Sequence, residues 1–563
     1  MLRLKSIASS ILLVTCLTTG SSGRSQDTAP QLADETATGL DQVIRRVVTR
    51  EKSLVEGLRN YNPIIETYIQ RQVPDEGSGG AVPREDEYLL GRLDWQKGVK
   101  TKPLLRDQWK AGAILGSMSQ PFPFQADHLL DVFAGMTLVD KASFDEKRYA
   151  FRYVRREFLG EVRCLVFEVT PERKVRDGFS GRIWVEDKDY TIVRFNGVNA
   201  SRQNLHFDSW RLNVRPGLWV PAYVYTEDSD QGYGFMKRKP SRAKAQTRLW
   251  GYSLTGAGRK EEFTAVLVDP AVRDRSDSDK QASPLRSQRA WERQAEDNVL
   301  ERLEAAGLLA PEGEVDKVLK TVVTNLEITN NLDIDPEVRC RVLLTSPLEA
   351  FSVGHTIVLS RGLIDVLPDE ASLAAMLAHE LGHILLGHQP IDTKYAFSDR
   401  MLVPDSELLD GFRFRRKPGE ESAADLKAME ILKPSPYKDK LGNAGLFLRA
   451  VAMRVKQLPN LIQAHMGDGI AREGGTLRMS DLMNSAPKLE VERIDQIAAL
   501  PLGTRVDVDP WSGRLQLMKS GPLALISARE KMPLEVTPFM LYLTYSQAAN
   551  DSPARSSLNP PPP

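Results

Sequence analysis

The stretch LAHELGHILLGH, residues 377–388, holds three of the seven histidines in a chain of 563 residues. His379 and His383 are four apart, so a helix stacks their imidazoles one turn from each other on one face, as two ligands of a tetrahedral zinc ion require. Glu380 projects about 100° around the same helix. That angle sets its carboxylate beside a metal rather than on it, where it can take a proton from a water that the metal activates. The spacing is H-E-x-x-H. The competing reading is a buried helix that carries polar residues by chance. With so few histidines an accidental match is rare, on the order of one in a hundred, and a buried, unpartnered Glu380 is costly besides.

The third ligand separates the subclasses. A metzincin takes its third histidine ten positions after the first; here that position is Gln389, and His388 falls short of it. A glutamate from a later helix is the remaining common solution, and PGEESAADLKAMEIL at 418–432 carries candidates. Glu421 and Asp425 are four apart, which allows Glu421 to bind metal while Asp425, a turn later, orients a ligating histidine. Glu420 is the main rival to Glu421, and a solvated acidic helix face is the plain alternative for all three.

These residues need a rigid frame. Pro368, Asp369 and Glu370 precede SLAAMLAHELGHILLGH, and acids there complement the positive end of a helix dipole. Leu373, Met376, Leu377, Leu381, Ile384 and Leu385 cover most of the helix circumference, which predicts burial inside a domain. Upstream, apolar residues between Leu40 and Leu58 recur at helical spacing, and DEGSGGAVPRED at 75–86 reads as a loop. From about 95 to 270 the texture changes to short alternating runs such as EVRCLVFEV (161–169), LWVPAYVY (218–225) and FTAVLV (263–268), the mark of a strand-rich domain. Asp187-Lys188-Asp189 suits a hairpin turn. KLEVERIDQIAAL (488–500) reads as helical, and VDVDPWSGRLQLM (506–518) as a hairpin.

The chain is too long for one core. Its 75 basic and 75 acidic side chains leave no net field to attract nucleic acid or an anionic membrane, so no nucleic-acid partner is expected. The opening MLRLKSIASSILLVTCLTTGSSGRSQ has the basic start, short apolar run and small residues of a secretory signal peptide. That run is too short to span a bilayer, and no later window has the apolar length to do so. Cys16 sits in a loose lipobox in which Thr15 is bulkier than the usual residue. Cys164 and Cys340 are expected as buried apolar side chains rather than as a disulfide or metal ligands. The expected order is a signal peptide at 1–25, a helical segment and loop at 26–94, an antiparallel β-rich domain at 95–270, a charged linker at 271–293, a metallopeptidase domain at 294–500, an extension at 501–550 and a disordered tail at 551–563. The class is α+β: a strand-rich N-terminal domain followed by a mainly helical, zincin-like domain.

TIVLSRGLIDVLPDEASLAAMLAHELGHILLGH followed by ESAAD resembles the zinc metallopeptidases of the HtpX, BepA, Oma-type and Ste-type family, whose signature is H-E-x-x-H plus E-x-x-A-D. The resemblance spans roughly residues 315–500. By position it implies that His379, His383 and Glu421 bind one zinc ion, that Glu380 is the general base and that Asp425 supports the site. Two departures stand out. Glu349-Ala350-Phe351 replaces the Asn-Ala-Phe that relatives often carry, and Ser485-Ala486-Pro487 replaces their Thr-His-Pro ahead of Glu492-Arg493-Ile494. Arg493 is the candidate oxyanion stabiliser, with a structural ion pair as its competing role. The strand rhythm of the β-rich region loosely resembles the half-barrels of periplasmic lipoprotein carriers, with a generic support domain as the alternative.

These readings imply an exported zinc endopeptidase, periplasmic or associated with the outer membrane. It would act on polypeptides, including misfolded envelope proteins, with peripheral membrane contact. The strand at Thr356–Ser360 is expected to pair with an extended substrate at a sheet edge. The alternative is a periplasmic chaperone or lipoprotein-binding assembly factor with regulated or residual protease activity.

Overall fold

The computed structural model describes residues 29–75, 80–96, 98–104, 126–172, 175, 178–199, 202–228, 242–254, 284–388, 414–472, 476–490, 493, 496, 502–503, 505–518, 534–538 and 540–546. The expected signal peptide, Cys16, the FTAVLV run and the proline-rich tail lie outside these residues, as does most of the 488–500 segment.

The chain opens with helix α1 (Ala29–Leu58). There follow β1 (Ile64–Asp75), β2 (Gly80–Asp94) and β3 (Lys100–Pro103), then helix α2 (Ala126–Gly135). Next come β4 (Tyr149–Leu159), β5 (Val162–Pro171), β6 (Phe179–Glu186), β7 (Ile192–Asn199), β8 (Arg202–Arg215), β9 (Leu218–Asp228) and β10 (Arg242–Trp250). Among the described residues these ten strands form one sheet in the order β3-β2-β1-β10-β9-β8-β7-β6-β5-β4. Every neighbouring pair is antiparallel. The Asp187–Asp189 turn joins β6 to β7 as expected.

The sheet begins earlier than the sequence suggests. Residues 80–86, read as loop, open β2, and Val73↔Val82 and Asp75↔Gly80 pair across the hairpin. The reason lies in the burial of both faces. Successive side chains of a strand point to opposite sides. On one side Ile65 and Ile69 of β1, Phe167 of β5 and Val185 of β6 pack with Val47 of α1 and Phe133 of α2. On the other, Ile64 and Tyr68 of β1, Trp184, Trp210 and Trp250 join the core of the C-terminal half. Polar members of β1 are therefore buried too, Glu66 and Gln70 among them, and their alternation mimics a solvated edge.

The C-terminal half starts with α3 (Pro284–Ala305), which takes in residues 284–293 of the expected linker. Then come α4 (Glu314–Thr329), β11 (Arg339–Leu343), β12 (Glu349–Val353), β13 (Thr356–Ser360), α5 (Arg361–Val366) and α6 (Glu370–Leu385). After the segment outside the described residues follow α7 (Pro418–Leu432), α8 (Leu441–Ala452), α9 (Pro459–Ile462), β14 (Asp468–Gly469), α10 (Ser480–Ser485) and the small hairpin β15 (Val506–Val508) and β16 (Leu515–Leu517). The hairpin matches the expectation for 506–518. The second sheet runs β11-β13-β12-β14, with β11 and β13 parallel. β13 is thus interior, hydrogen-bonded on both sides, and Thr356–Ser360 offers no edge to a substrate.

The halves are joined by buried polar contacts as well as core. Glu66 accepts from the Tyr88 hydroxyl at 2.9 Å, from the Ser346 hydroxyl at 2.8 Å and from Arg361 Nη2 at 3.0 Å. Asp86 accepts from Asn460 N at 3.0 Å and from Leu461 N at 2.8 Å. Residues 534–538 and 540–546 return to the sheet, where Val536 N donates to Gln70 Oε1 and Glu161 N donates to the Leu543 carbonyl. Cys164 and Cys340 are free and buried, as expected.

Candidate metal centre

Helix α6 is started by Asp369, whose carboxylate accepts from Ser372 N at 2.8 Å and so satisfies one of the free amides of the first turn. All residues from Ala374 to His383 are buried. The helix lies against α4, α7 and α8. Its closest approach is to α7. A Cβ on Gly382 would stand 2.9 Å from the Ala424 carbonyl oxygen, so the two backbones meet at a distance only glycine permits. That contact brings the first turns of α7, with Glu421 and Asp425, over the imidazoles of α6.

His379 Nε2 and His383 Nε2 are 3.1 Å apart. The Glu421 carboxylate lies 3.1 Å from His383 Nε2 and 3.5 Å from His379 Nε2. One ligand atom from each of the three residues falls within 4.8 Å of the others, and all three side chains are buried. Zinc ligands about 2.0–2.1 Å from a common tetrahedral ion stand about 3.3 Å from each other, which these spacings fit. The charges around the imidazoles fit as well. His379 Nδ1 is 2.8 Å from Asp425 Oδ1. A carboxylate only accepts, so a proton on His379 Nδ1 would face Asp425 and leave the Nε2 lone pair toward the centre. Glu421 Oε1 is buried with no hydrogen bond of its own. Lone pairs collected in this way need a cation. Glu420 plays a different part: it is half-buried and its carboxylate accepts from Lys417 N at 3.0 Å, closing the first turn of α7.

Glu380 points elsewhere on the helix, as its angle requires. Ser352 Oγ of β12 donates to Glu380 Oε2 at 3.2 Å and Arg478 Nη1 donates to Oε1 at 2.9 Å. Burial acts to raise the pKa of Glu380, but the Arg478 guanidinium and the two imidazoles outweigh it and hold the carboxyl below its usual range. The same competition acts on Glu421: burial raises it, Arg478 and the imidazoles lower it, and the net direction is down. For His379, burial and Arg478 press the pKa down, but Asp425 and Glu421 win and raise it.

Arg478 is the residue the sequence did not announce. It is buried, donates to the Ala350 carbonyl at 3.2 Å, and stands 3.5 Å from Glu421 and 3.9 Å from Asp468. Arg493, the expected oxyanion candidate, is exposed, with its backbone amide bonded to the Glu490 carbonyl. The guanidinium beside Glu380 is that of Arg478. Arg416 Nη2 donates to the Ser352 carbonyl at 3.1 Å and to its hydroxyl at 3.0 Å. Arg472 pairs with Asp425. These arginines come from segments without periodicity or motif, and no spacing rule links them to His379. A cleft of about 530 Å³ opens beside Glu421, lined by Arg416, Asp468, Arg472 and Thr476 among others.

Residues 310–402 match the model for Peptidase family M48. The matched stretch contains His379, Glu380 and His383 and ends before Glu421. No curated protein matches the chain. Among solved structures, a LolA superfamily protein from Nitrosomonas europaea is 13% identical with a TM-score of 0.20, the match covering 36% of this chain and 90% of that one. A putative outer membrane lipoprotein-sorting protein domain from Vibrio parahaemolyticus is 11% identical with a TM-score of 0.19, covering 38% and 93%. Superpositions at these scores do not define a shared fold.

Proposed function

We propose that the chain is a zinc-dependent endopeptidase in which His379, His383 and Glu421 hold one zinc ion and Glu380 is the general base. The convergence of two imidazoles and a carboxylate with one buried oxygen free of hydrogen bonds carries the reading, and the match of 310–402 to a peptidase family supports it. Zinc, when bound, supplies Lewis acidity to the scissile carbonyl and to the attacking water.

The chain's own groups do the rest. Asp425 keeps the His379 proton on Nδ1, which frees Nε2 for the ion. Glu380, held ionised by Arg478, is ready to accept the proton of the attacking water and to pass it to the leaving amine nitrogen. The cleft beside Glu421 is where the peptide would lie. Purified chain should cleave an unfolded model protein, lose that activity to a chelator and regain it with zinc. Glu380→Gln should keep the metal and lose turnover; a Glu380→Gln chain that still cleaves would remove the assigned base.

The biological reading extends this one: an exported enzyme acting on misfolded envelope polypeptides at the periplasm or outer membrane. The basic, apolar and small-residue order of the first 25 residues supports it. Fractionation with intact and truncated leader tests it, since cytoplasmic retention of the intact chain would end it. The chaperone alternative has one observation of its own. A cavity of about 310 Å³ lies between the sheet and the returning C-terminal segment, lined by Tyr223, Trp250, Leu541 and the largely exposed Met540 and Tyr542. Binding of an unfolded client that survives Glu380→Gln and falls in a Met540→Glu, Tyr542→Glu double variant would favour it.

A further inference from the structure

His379 and His383 present the same Nε2 face to the centre, but different partners stand behind them. Behind His379 is the Asp425 carboxylate. Behind His383 is another imidazole, with His383 Nδ1 3.0 Å from His388 Nδ1 and the rings 5.2 Å apart at 61°. The sequence left His388 with no role, since it falls short of the third-ligand position.

The way α6 ends delivers this contact. Leu386 caps the helix, Gly387 turns left-handed at φ +68°, and the chain folds back so that His388 N donates to the His383 carbonyl at 3.0 Å while Gly387 N donates to the Ile384 carbonyl at 3.1 Å. This pair of bonds is a Schellman termination, for which glycine is the favoured residue. It sets His388 against the outer edge of His383. A side chain five residues on does not otherwise share a helical face with its partner.

The geometry points to His388 as a positioning residue for the metal centre: its Nδ1 accepts the Nδ1 proton of His383, fixing the tautomer that leaves His383 Nε2 free to ligate. The proton stays on His383, and His388 carries its own on Nε2. The role mirrors that of Asp425 with a neutral acceptor in place of a carboxylate. It rests on the zinc reading above.

Zinc affinity measured by chelator competition at fixed pH tests it, with the melting temperature of the metal-free protein as control. His388→Leu removes the acceptor and should weaken zinc binding about 10- to 100-fold, the range for loss of such an outer partner. His388→Asn, whose Oδ1 accepts, should recover most of the loss, and metal-free melting should be alike in all three. Gly387→Ala, which has open space around it but the wrong backbone preference, should shift affinity in the same direction. Equal affinity for wild type and His388→Leu, or equal losses for His388→Leu and His388→Asn, overturns the positioning role. If wild type binds zinc and Glu421→Ala does not while His388→Leu binds normally, this inference alone fails. A wild type that binds no zinc overturns both.

Discussion

Two buried arginines, one in each half of the molecule, show how similar ingredients give structure in one place and chemistry in another. In the sheet half, Arg211 of β8 meets Glu51 of α1: Nη1 to Oε2 at 2.6 Å and Nη2 to Oε1 at 2.7 Å, with the Ile192 carbonyl as a further acceptor. One cation serves one carboxylate in a parallel fork, and both are almost fully buried. In the helical half, Arg478 is just as buried but is divided among Glu380, Glu421 and Asp468. The Nε of each arginine lacks a hydrogen bond, and so does Glu421 Oε1. The first pair is closed and ties a helix to a sheet. The second cluster is open: two carboxylates beside two imidazoles share one guanidinium, and Glu421 keeps a buried oxygen free of hydrogen bonds, as a ligand of a divalent cation would.

The largest effect should come from breaking the open cluster at Glu380. Glu380→Gln is expected to lower the rate of hydrolysis by about 10²- to 10⁴-fold, the span of general-base contributions. Its thermal stability should stay near wild type, because the amide oxygen still accepts from Arg478 and the amide nitrogen can donate to the Ser352 hydroxyl. Single-turnover assays beside melting curves check both halves of that statement. Breaking the closed pair should do the reverse. Arg211→Met leaves Glu51 buried and unpaired and should cost roughly 3–5 kcal/mol in denaturant unfolding. Zinc affinity should be unchanged, and adding Glu51→Leu should restore most of the stability.

Asp86 sharpens the comparison from the joint between the halves. Burial raises its pKa to about 6 from 3.8, despite the hydrogen bonds from Asn460 and Leu461 that oppose the shift. The folded state therefore holds this proton more tightly than the unfolded one. Its stabilising contribution is complete below about pH 4 and is lost as the pH rises through about 6, a change of roughly 3 kcal/mol at most. Stability measured from pH 4 to 7 should show this decline, and Asp86→Asn should flatten it. The smallest effect is expected at the start of α6. Asp369→Ala removes the cap and should cost about 1 kcal/mol. Zinc affinity should follow only slightly, since burial of the helix against α4, α7 and α8 holds it.

The same contrast explains what could be read in the sequence. The α6 helix, its buried circumference and the paired spacings of His379 with His383 and of Glu421 with Asp425 are local patterns, and local patterns report helical faces directly. Gly382 and Ala424, the small residues at the crossing of α6 and α7, show their purpose only in the packing. Arg478, Arg416 and Ser352 were not legible, because tertiary structure alone brings Arg478 and Ser352 to Glu380 and Arg416 to Ser352. The extent of the first sheet was hidden for a related reason. Glu66, Gln70 and Gln72 alternate along β1 as a solvated face would, yet they are buried against the other half and the returning C-terminal segment. Strand Thr356–Ser360 has the composition of an edge and a centre alike, and only pairing with β11 and β12 on both sides decides between them. His388 fell between these cases: its spacing excluded it as a ligand, while the Gly387 turn beside it was the signal of its return to His383.

Anomalous diffraction at the zinc absorption edge, on crystals of the zinc-loaded protein, addresses the metal centre most directly. One peak is expected per chain, within about 2.0–2.2 Å of His379 Nε2, His383 Nε2 and a Glu421 carboxylate oxygen, and it should vanish in Glu421→Ala. A peak that lies elsewhere, or that persists unchanged in Glu421→Ala, would contradict the assignment of these three residues to one ion.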